Sequence, residues 1–496
     1  MNFAQAANQI SSLKLTENGA LAFNNTGQGA LYDFYSVLGA LRNKCYTEEG
    51  KQFIREKFKN ALKENKNHAI RALFYMRDVR GGLGERETFR ICLNYLGNVE
   101  PELAKQIIKF VPFYGRWDDL YSLFDTHAEA AALKFLYGSF CLDIYKILNN
   151  EPLSLLAKWL KSENTSSKNS RKIAKKIINY FFEESKGTIT PKSYRILLSK
   201  MREHLRVVEK QMSANDWESI KYENVPSNAM HNYYKAFQKH CGENFKKYLK
   251  EVNEGKKQIK AKTLYPYNIL STKKHKYTQV DELQWKNLPN YVQDKNYLVL
   301  ADFSPSMWTM NAIDISSSLS VYFAQRNKGA FHNLFLAFGS KPRYVKLKDN
   351  FDLNDCHEII EREIDNCGYT TNLNKAFKFV LNTLILGKVP QEEVPEAIIV
   401  ISDMEIDMYF RNAPMLDFYS HMKKEFEDAG YKIPKLVLWN VQSRNDTCLS
   451  QNPEVCFVSG ASPSVFKDLC LYLKGFSGYD LMMKILNSDR YNIINV

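Results

Sequence analysis

YLVLADFSPS, residues 297–306, is a short apolar run that ends in one carboxylate followed by two hydroxyls at alternate positions. FLAFGS (335–340), AIIVISD (397–403), LVLWNV (436–441) and VCFVSG (455–460) have the same build, a few large apolar residues bounded by turn formers. Amphipathic stretches at Ile313–Gln325, Leu373–Leu386 and Met415–Ala429 lie between them. Strand alternating with helix predicts an α/β domain over residues 297–496, a doubly wound and mostly parallel sheet.

In an open parallel sheet the ligand crevice lies beyond the carboxyl ends of the strands, where strand order reverses. Asp302, Ser304 and Ser306 leave the first strand there, and Asp403 closes AIIVIS. Gly368-Tyr369-Thr370-Thr371-Asn372 precedes a helix and offers a further hydroxyl. The donors are hard oxygens with no His or Cys, a set that suits Mg²⁺ or Mn²⁺ and not zinc. So few carboxylates leave a bound ion undercompensated, with positions open to water or to an incoming carboxylate or phosphate. DxSxS alone also reads as an Asx turn or helix N-cap. Three pieces in the right order on one sheet favour the cation. Glu405 and Asp407 are acids beyond these pieces; they read either as groups that tune the ion or as solvated loop acids, the second being the preferred reading.

Upstream the texture is different. From residue 31 to 253 apolar residues recur at helical spacing, as in Ile54, Phe58, Ala61 and Leu62, then Ala69, Leu73 and Met76. Gly and Pro punctuate helices of ordinary length, the pattern of paired helices in an α-solenoid or bundle. Residues 1–30 are small and polar and read as a loosely held arm; residues 254–296 read as a Lys-rich connector. The fold class is therefore multidomain, α followed by α/β. Charge follows the same boundary. Residues 1–290 hold 47 Lys and Arg against 30 Asp and Glu, and residues 291–496 hold 21 against 25, within a total of +13 over 496 residues. Such a basic half serves either general solubility or a polyanion such as nucleic acid.

Asp302, Ser304 and Ser306, then Thr371, then Asp403 resemble the metal-ion-dependent adhesion site of von Willebrand factor A (vWA) domains. That resemblance implies Ser and Thr hydroxyls on the metal, with the two Asp acting partly through water. It prefers Thr371 to Thr370, because Thr371 stands five residues before Ala376. RDVRGGLGERETFR (77–90), YGRWDDLY (114–121), LAKWLKSENTSSKNSRKIAKKI (156–177), VPSNAMHNYYKAF (225–237) and TLYPYNIL (263–270) resemble a TROVE-like family that pairs a helical domain with a C-terminal vWA domain. The family is a distant relative of the Ro autoantigen, whose HEAT-like repeats close into a ring that binds single-stranded and small noncoding RNA. The resemblance implies a ring-like helical-repeat domain, an RNA partner and a ribonucleoprotein role.

From the residues themselves, Lys161, Lys168, Arg171, Lys172, Lys175 and Lys176 gather around a hydroxyl-rich loop that feeds a helix N-terminus. This reads either as a phosphate cradle or as a capped, solvated helix. Arg77 and Arg80 beside the glycines make a weaker case of the same kind. Asp118 and Asp119 read as helix caps that hold nearby Arg. No phosphate-binding, zinc-protease or serine-hydrolase motif occurs, so a non-enzymatic role is expected. MNFAQAANQISSLKL is no signal peptide, and no apolar run approaches the roughly 20 residues that span a bilayer. The nine scattered cysteines, never spaced CxxC, point to the cytoplasm and free thiols. The expectation is a non-catalytic RNA-binding scaffold with a Mg²⁺ or Mn²⁺ site open to a protein partner. Its alternative is a metal-dependent protein-docking module or structural platform, viral or otherwise, without RNA.

Overall fold

A computed structural model describes residues 13–205, 208–274, 276–292, 296–349, 352–407, 418–444, 447–462, 465, 472 and 475–496. The chain divides into two compact units. One comprises Met1–Met76, Arg80–Thr88 and Ala261–Ile493; the other comprises Arg77–Val79, Phe89–Lys260 and Ile494–Val496.

The first unit is built on a mixed six-stranded sheet. Its strands are β3 (Tyr297–Asp302), β4 (Leu334–Phe338), β5 (Arg343–Lys346), β6 (Ala397–Ser402), β7 (Lys435–Asn440) and β8 (Val455–Ser459), after a hairpin of β1 (Leu13–Leu15) and β2 (Leu21–Phe23). The sheet order is β5-β4-β3-β6-β7-β8. Only the β4–β5 pairing is antiparallel. Every residue of β3 and β6 is buried, which is why these strands read as unbroken apolar runs. Leu298, Leu300, Ile398 and Val400 meet Leu373, Phe377 and Met422 on one face. The helix Ala312–Arg326 packs against β3, with Ser316, Ser317, Ser318 and Ser320 all buried. Ser317 and Ser320 donate to carbonyls four residues back, at 2.8 and 2.7 Å, so small polar side chains are satisfied within the helix and let it approach closely.

Two expectations are corrected here. Residues 13–30 are not a loose arm: β1 and β2 pair antiparallel, and Phe23 exchanges backbone hydrogen bonds with Cys448 at 2.8 Å each way. Residues 1–12 of that expected arm lie outside the described residues. The expected connector is also folded from Ala261 onward. Thr278 caps the helix Gln279–Lys286 in a box with Asp281, and buried Asp281 takes Lys274 at 2.7 Å.

Residues 30–76 are helical as expected: Ala30–Val37, Glu48–Glu64 and most of Lys66–Arg77. They pack, however, within the sheet unit. Local periodicity marks a helix and its apolar face but not the body that covers it. The Gly39 N–H donates to Ser459 Oγ at 2.9 Å, and the Ser443 N–H donates to Ala40 O at 2.8 Å. Arg71 reaches Asn487 Oδ1 at 2.7 Å.

The second unit is all-α among its described residues, with principal helices Glu129–Leu148, Lys168–Glu184, Pro191–His204 and Gly242–Asn253. Phe140, Phe181 and Tyr194 cluster with ring centroids 5.0–6.0 Å apart, and Tyr222, Phe237, Phe245 and Tyr248 form a second aromatic group. These contacts tie the helices together where their short lengths alone would not hold them folded. No described helix is long and apolar enough to cross a membrane. The eight described cysteines form no disulfide.

A Cβ on Gly39 would overlap the backbone of Gly460. Gly39→Ala is therefore expected to lower the denaturation midpoint by the equivalent of about 3 kcal/mol. A wild-type midpoint would show that the helix 30–37 and strand β8 are not in the contact described.

Candidate functional site

β3 lies where strand order reverses, with β4 on one side and β6 on the other. Its last residue is Asp302. One carboxylate oxygen, Oδ1, accepts the Ser304 N–H at 2.9 Å, an Asx turn. The other, Oδ2, accepts the Ser402 hydroxyl at 2.5 Å from the end of β6. The Ser304 and Ser306 hydroxyls stand 3.1 Å apart. One residue past Ser402, Asp403 accepts the Glu405 N–H at 3.2 Å through Oδ1. Its Oδ2 is buried with no hydrogen-bond partner among the described residues; the Arg444 Nε lies 4.0 Å away.

Asp302 and Asp403 are 0% and 1% exposed. Burial raises the pKa of Asp302. Burial and then the charge of Asp302 push Asp403 up to about 7, opposed by the Glu405 N–H and by the neighbouring Ser306 hydroxyl. Two desolvated carboxylates side by side are short of positive charge. Among the described residues no three His, Cys, Asp or Glu form a metal cage. Any cation here must draw on hydroxyls as well as on the two Asp, and the orphaned Oδ2 of Asp403 fits that demand.

Thr371 is buried, whereas Thr370 is exposed and donates its hydroxyl to Ser340 at 3.0 Å. Thr371 is fastened to the loop after β6 by two bonds: its N–H donates to Asp407 Oδ2 at 2.7 Å, and the Asp407 N–H donates to Thr371 O at 3.0 Å. Glu405 and Asp407 are thus not the solvated acids expected. Glu405 is 1% exposed and its Oε2 accepts the Glu17 N–H at 2.7 Å; half-buried Asp407 clasps Thr371. Nothing in the neighbouring sequence announces this, because Glu405 meets a partner 388 residues away. Arg444, bonded to Glu17 Oε2 at 2.7 Å, is a further residue that no local pattern singles out.

The basic residues divide three ways. Arg77 is corrected: it is 1% exposed and donates to Asp119 Oδ2 at 2.7 Å, so it is unavailable to a phosphate. Arg90 joins the network through Asp119 Oδ1 at 2.8 Å and Asp118 at 2.9 Å, and the Arg116 N–H is capped by Asp119. The structural role expected of the two aspartates is the one found. Lys172 and Lys176 meet Asp125 at 2.9 and 2.6 Å, and Lys176 also meets Glu129 at 2.7 Å. Lys161 lies over the Tyr121 ring at 5.9 Å. Lys168, Arg171 and Lys175 are exposed on the helix that Ser167 caps, with no ion pair among the described residues. Arg80 is exposed in the other unit.

The family model of one domain of unknown function (DUF2828) matches residues 122–298, and that of another (DUF7788) matches residues 296–477. They meet at the start of β3. An uncharacterized protein, L728, of Acanthamoeba polyphaga mimivirus is 24% identical over 525 residues, covering 97% of this chain and 86% of that one. The crystal structure of the Deinococcus radiodurans RO (RSR) protein is similar with a TM-score of 0.47 and 13% identity, over 90% of this chain and 99% of that one.

The carboxylate pair sets a sign for pH dependence in metal-free protein. An unfolded Asp titrates near its ordinary value, roughly 3.9, whereas folded Asp403 titrates at about 7. The folded state therefore keeps a proton that the unfolded state has lost, and stability declines as pH rises through that window. In chelator, Asp403→Asn is expected to be more stable than wild type by about 1–3 kcal/mol at high pH, a difference that vanishes near the unfolded pKa. Urea titrations at the two pH values check it; a less stable variant at high pH contradicts the carboxylate repulsion.

Proposed function

We propose that the chain is a non-catalytic, cytoplasmic RNA-binding scaffold whose sheet unit holds Mg²⁺ or Mn²⁺ in a vWA-type site. The observation that supports the metal is the pair of buried carboxylates with one oxygen left without a hydrogen bond, flanked by hydroxyls at the switch point of a parallel sheet. Ser304, Ser306 and Thr371 would hold the cation by their hydroxyls, with Asp302 and Asp403 balancing its charge. When bound, it supplies an electrophilic point on which an anionic oxygen of a partner docks. Asp302 stays oriented by Ser402 and by its own Asx turn, so the carboxylate is preorganised.

RNA is supported by the helical unit's charge. Its residues hold 30 Lys and Arg against 20 Asp and Glu. Lys168 and Arg171 present unpaired cations at the capped end of a 17-residue helix, where phosphate is favoured, and Lys175 adds another one turn further along. A protein partner at the metal site is favoured by Trp308 and Tyr369, 53% and 90% exposed on the loops that carry Ser306 and Thr371. Exposed aromatics are common anchors of protein interfaces.

Calorimetry with MnCl₂ tests the first half: Asp302→Ala is expected to abolish binding while RNA affinity stays within about twofold. Unchanged Mn²⁺ affinity would sink the site. For the second half, single-stranded RNA binding is measured across salt. Charge reversal of Lys168, Arg171 and Lys175 together should reduce the log–log salt slope by about 2. No RNA affinity at about 50 mM salt would leave the chain a metal-dependent docking module.

A further inference from the structure

The loops that frame the site are tied to a segment nearly four hundred residues away. Thr16 Oγ1 donates to Ile406 O at 2.6 Å, the Glu17 N–H to Glu405 Oε2 at 2.7 Å, and Asn18 Nδ2 to Glu405 O at 2.8 Å. Gly19 forms an antiparallel bridge with Asp407. Three successive residues, 405–407, are thus held by the turn of the β1–β2 hairpin. Asp407 passes the constraint to Thr371 through its two bonds, at 2.7 and 3.0 Å. A second arm runs from Glu17 through Arg444, at 2.7 Å, to the Asp403 oxygen that accepts no hydrogen bond, at 4.0 Å.

The loop needs such help. Met404 adopts φ 65, a left-handed conformation that a non-glycine residue takes only under constraint. The sheet fixes Asp302 and Ser402 by ladder and hydrogen bond, but Thr371 lies on a loop before a helix, with no strand of its own. Its backbone position is set by Asp407, and Asp407 is set by the hairpin.

We propose that the hairpin turn, residues 16–19, together with Glu405 and Asp407, forms a strap that positions Thr371 and Asp403 for the cation. This rests on the metal reading above. Glu405 and Asp407 act here as positioning residues and not as ligands: each carboxylate accepts a backbone N–H, of Glu17 or of Thr371. Groups that orient a metal's ligands typically contribute 10–100-fold to its affinity.

The test uses full-length protein, Mn²⁺ alone as the probe, and amide hydrogen exchange on the metal-free chain. Glu405→Ala is expected to weaken Mn²⁺ at least about tenfold and to speed exchange at Thr371 and Asp407, while Glu405→Gln, which still accepts the Glu17 N–H, stays within about threefold of wild type. Asp407→Asn should likewise retain affinity that Asp407→Ala loses. Asn18→Ala, on the exposed turn, removes one tie without touching the buried acids, and is expected to weaken Mn²⁺ several-fold even where Glu405→Ala fails to fold. Wild-type affinity in both Asn18→Ala and Asp407→Ala overturns the strap and leaves the metal site standing. Equal losses in Asp407→Asn and Asp407→Ala overturn it differently, by showing that the charge and not the hydrogen bond is needed. A wild-type chain that takes no Mn²⁺ overturns the metal reading and the strap together.

Discussion

The hydrogen bond from Ser402 to Asp302 sits at the point on which the sheet unit is organised. It joins the carboxyl ends of β3 and β6, the two strands between which strand order reverses, and it buries a carboxylate there. Once Asp302 is fixed, Asp403 follows one residue beyond its partner and its charge faces the first. The repulsion between them limits what the surrounding loops can contribute. A third carboxylate aimed inward would deepen the deficit of positive charge, and the loops bring hydroxyls instead. The nearest acids, Glu405 and Asp407, are turned to backbone N–H groups.

The helical unit solves a related problem by the opposite route. Arg77 is a buried cation, and a buried charge is tolerated only when paired and hydrogen-bonded. Asp119 supplies the pairing and is itself shared with Arg90 and with the Arg116 N–H, so each carboxylate oxygen is used. Gly115 is packed against that same pair, leaving no room for a Cβ. The motif YGRWDDLY is therefore a structural lock, whose aspartates hold Arg77 and Arg90 away from any basic surface.

How far the sequence could be read follows from the range of each interaction. The five long strands were legible because burial on both faces leaves an unbroken apolar run, and the gathering of Asp302, Ser304, Ser306 and Asp403 at the strands' carboxyl ends was legible because they follow those runs directly. β5 was not: it is an antiparallel edge strand of four residues, Arg343–Lys346, with a single buried position. The β1–β2 hairpin was missed because three-residue strands carry too little pattern, and because their partners lie near residues 405 and 448. A capped helix after the hydroxyl-rich loop was legible, and the cap is Ser167, whose hydroxyl accepts the Ser170 N–H within one turn. The fate of Lys172 and Lys176 was not, since it depends on Asp125, about fifty residues earlier.

The charge boundary moves for the same reason. Read along the chain, positive charge ends near residue 290. Read in space, residues 13–76, 80–88 and 261–290 belong with the sheet unit, which then holds 38 Lys and Arg against 35 Asp and Glu. The helical unit keeps 30 against 20. The sheet unit is thus close to neutral as a body, and the charge deficit at Asp302 and Asp403 is local, made by burial and not by an acidic surface. A cation attracted there is drawn by two desolvated carboxylates at short range, whereas a polyanion attracted to the helical unit responds to a field spread over its surface. Added salt screens the second far more than the first, so the two proposed binding properties would vary independently within one chain.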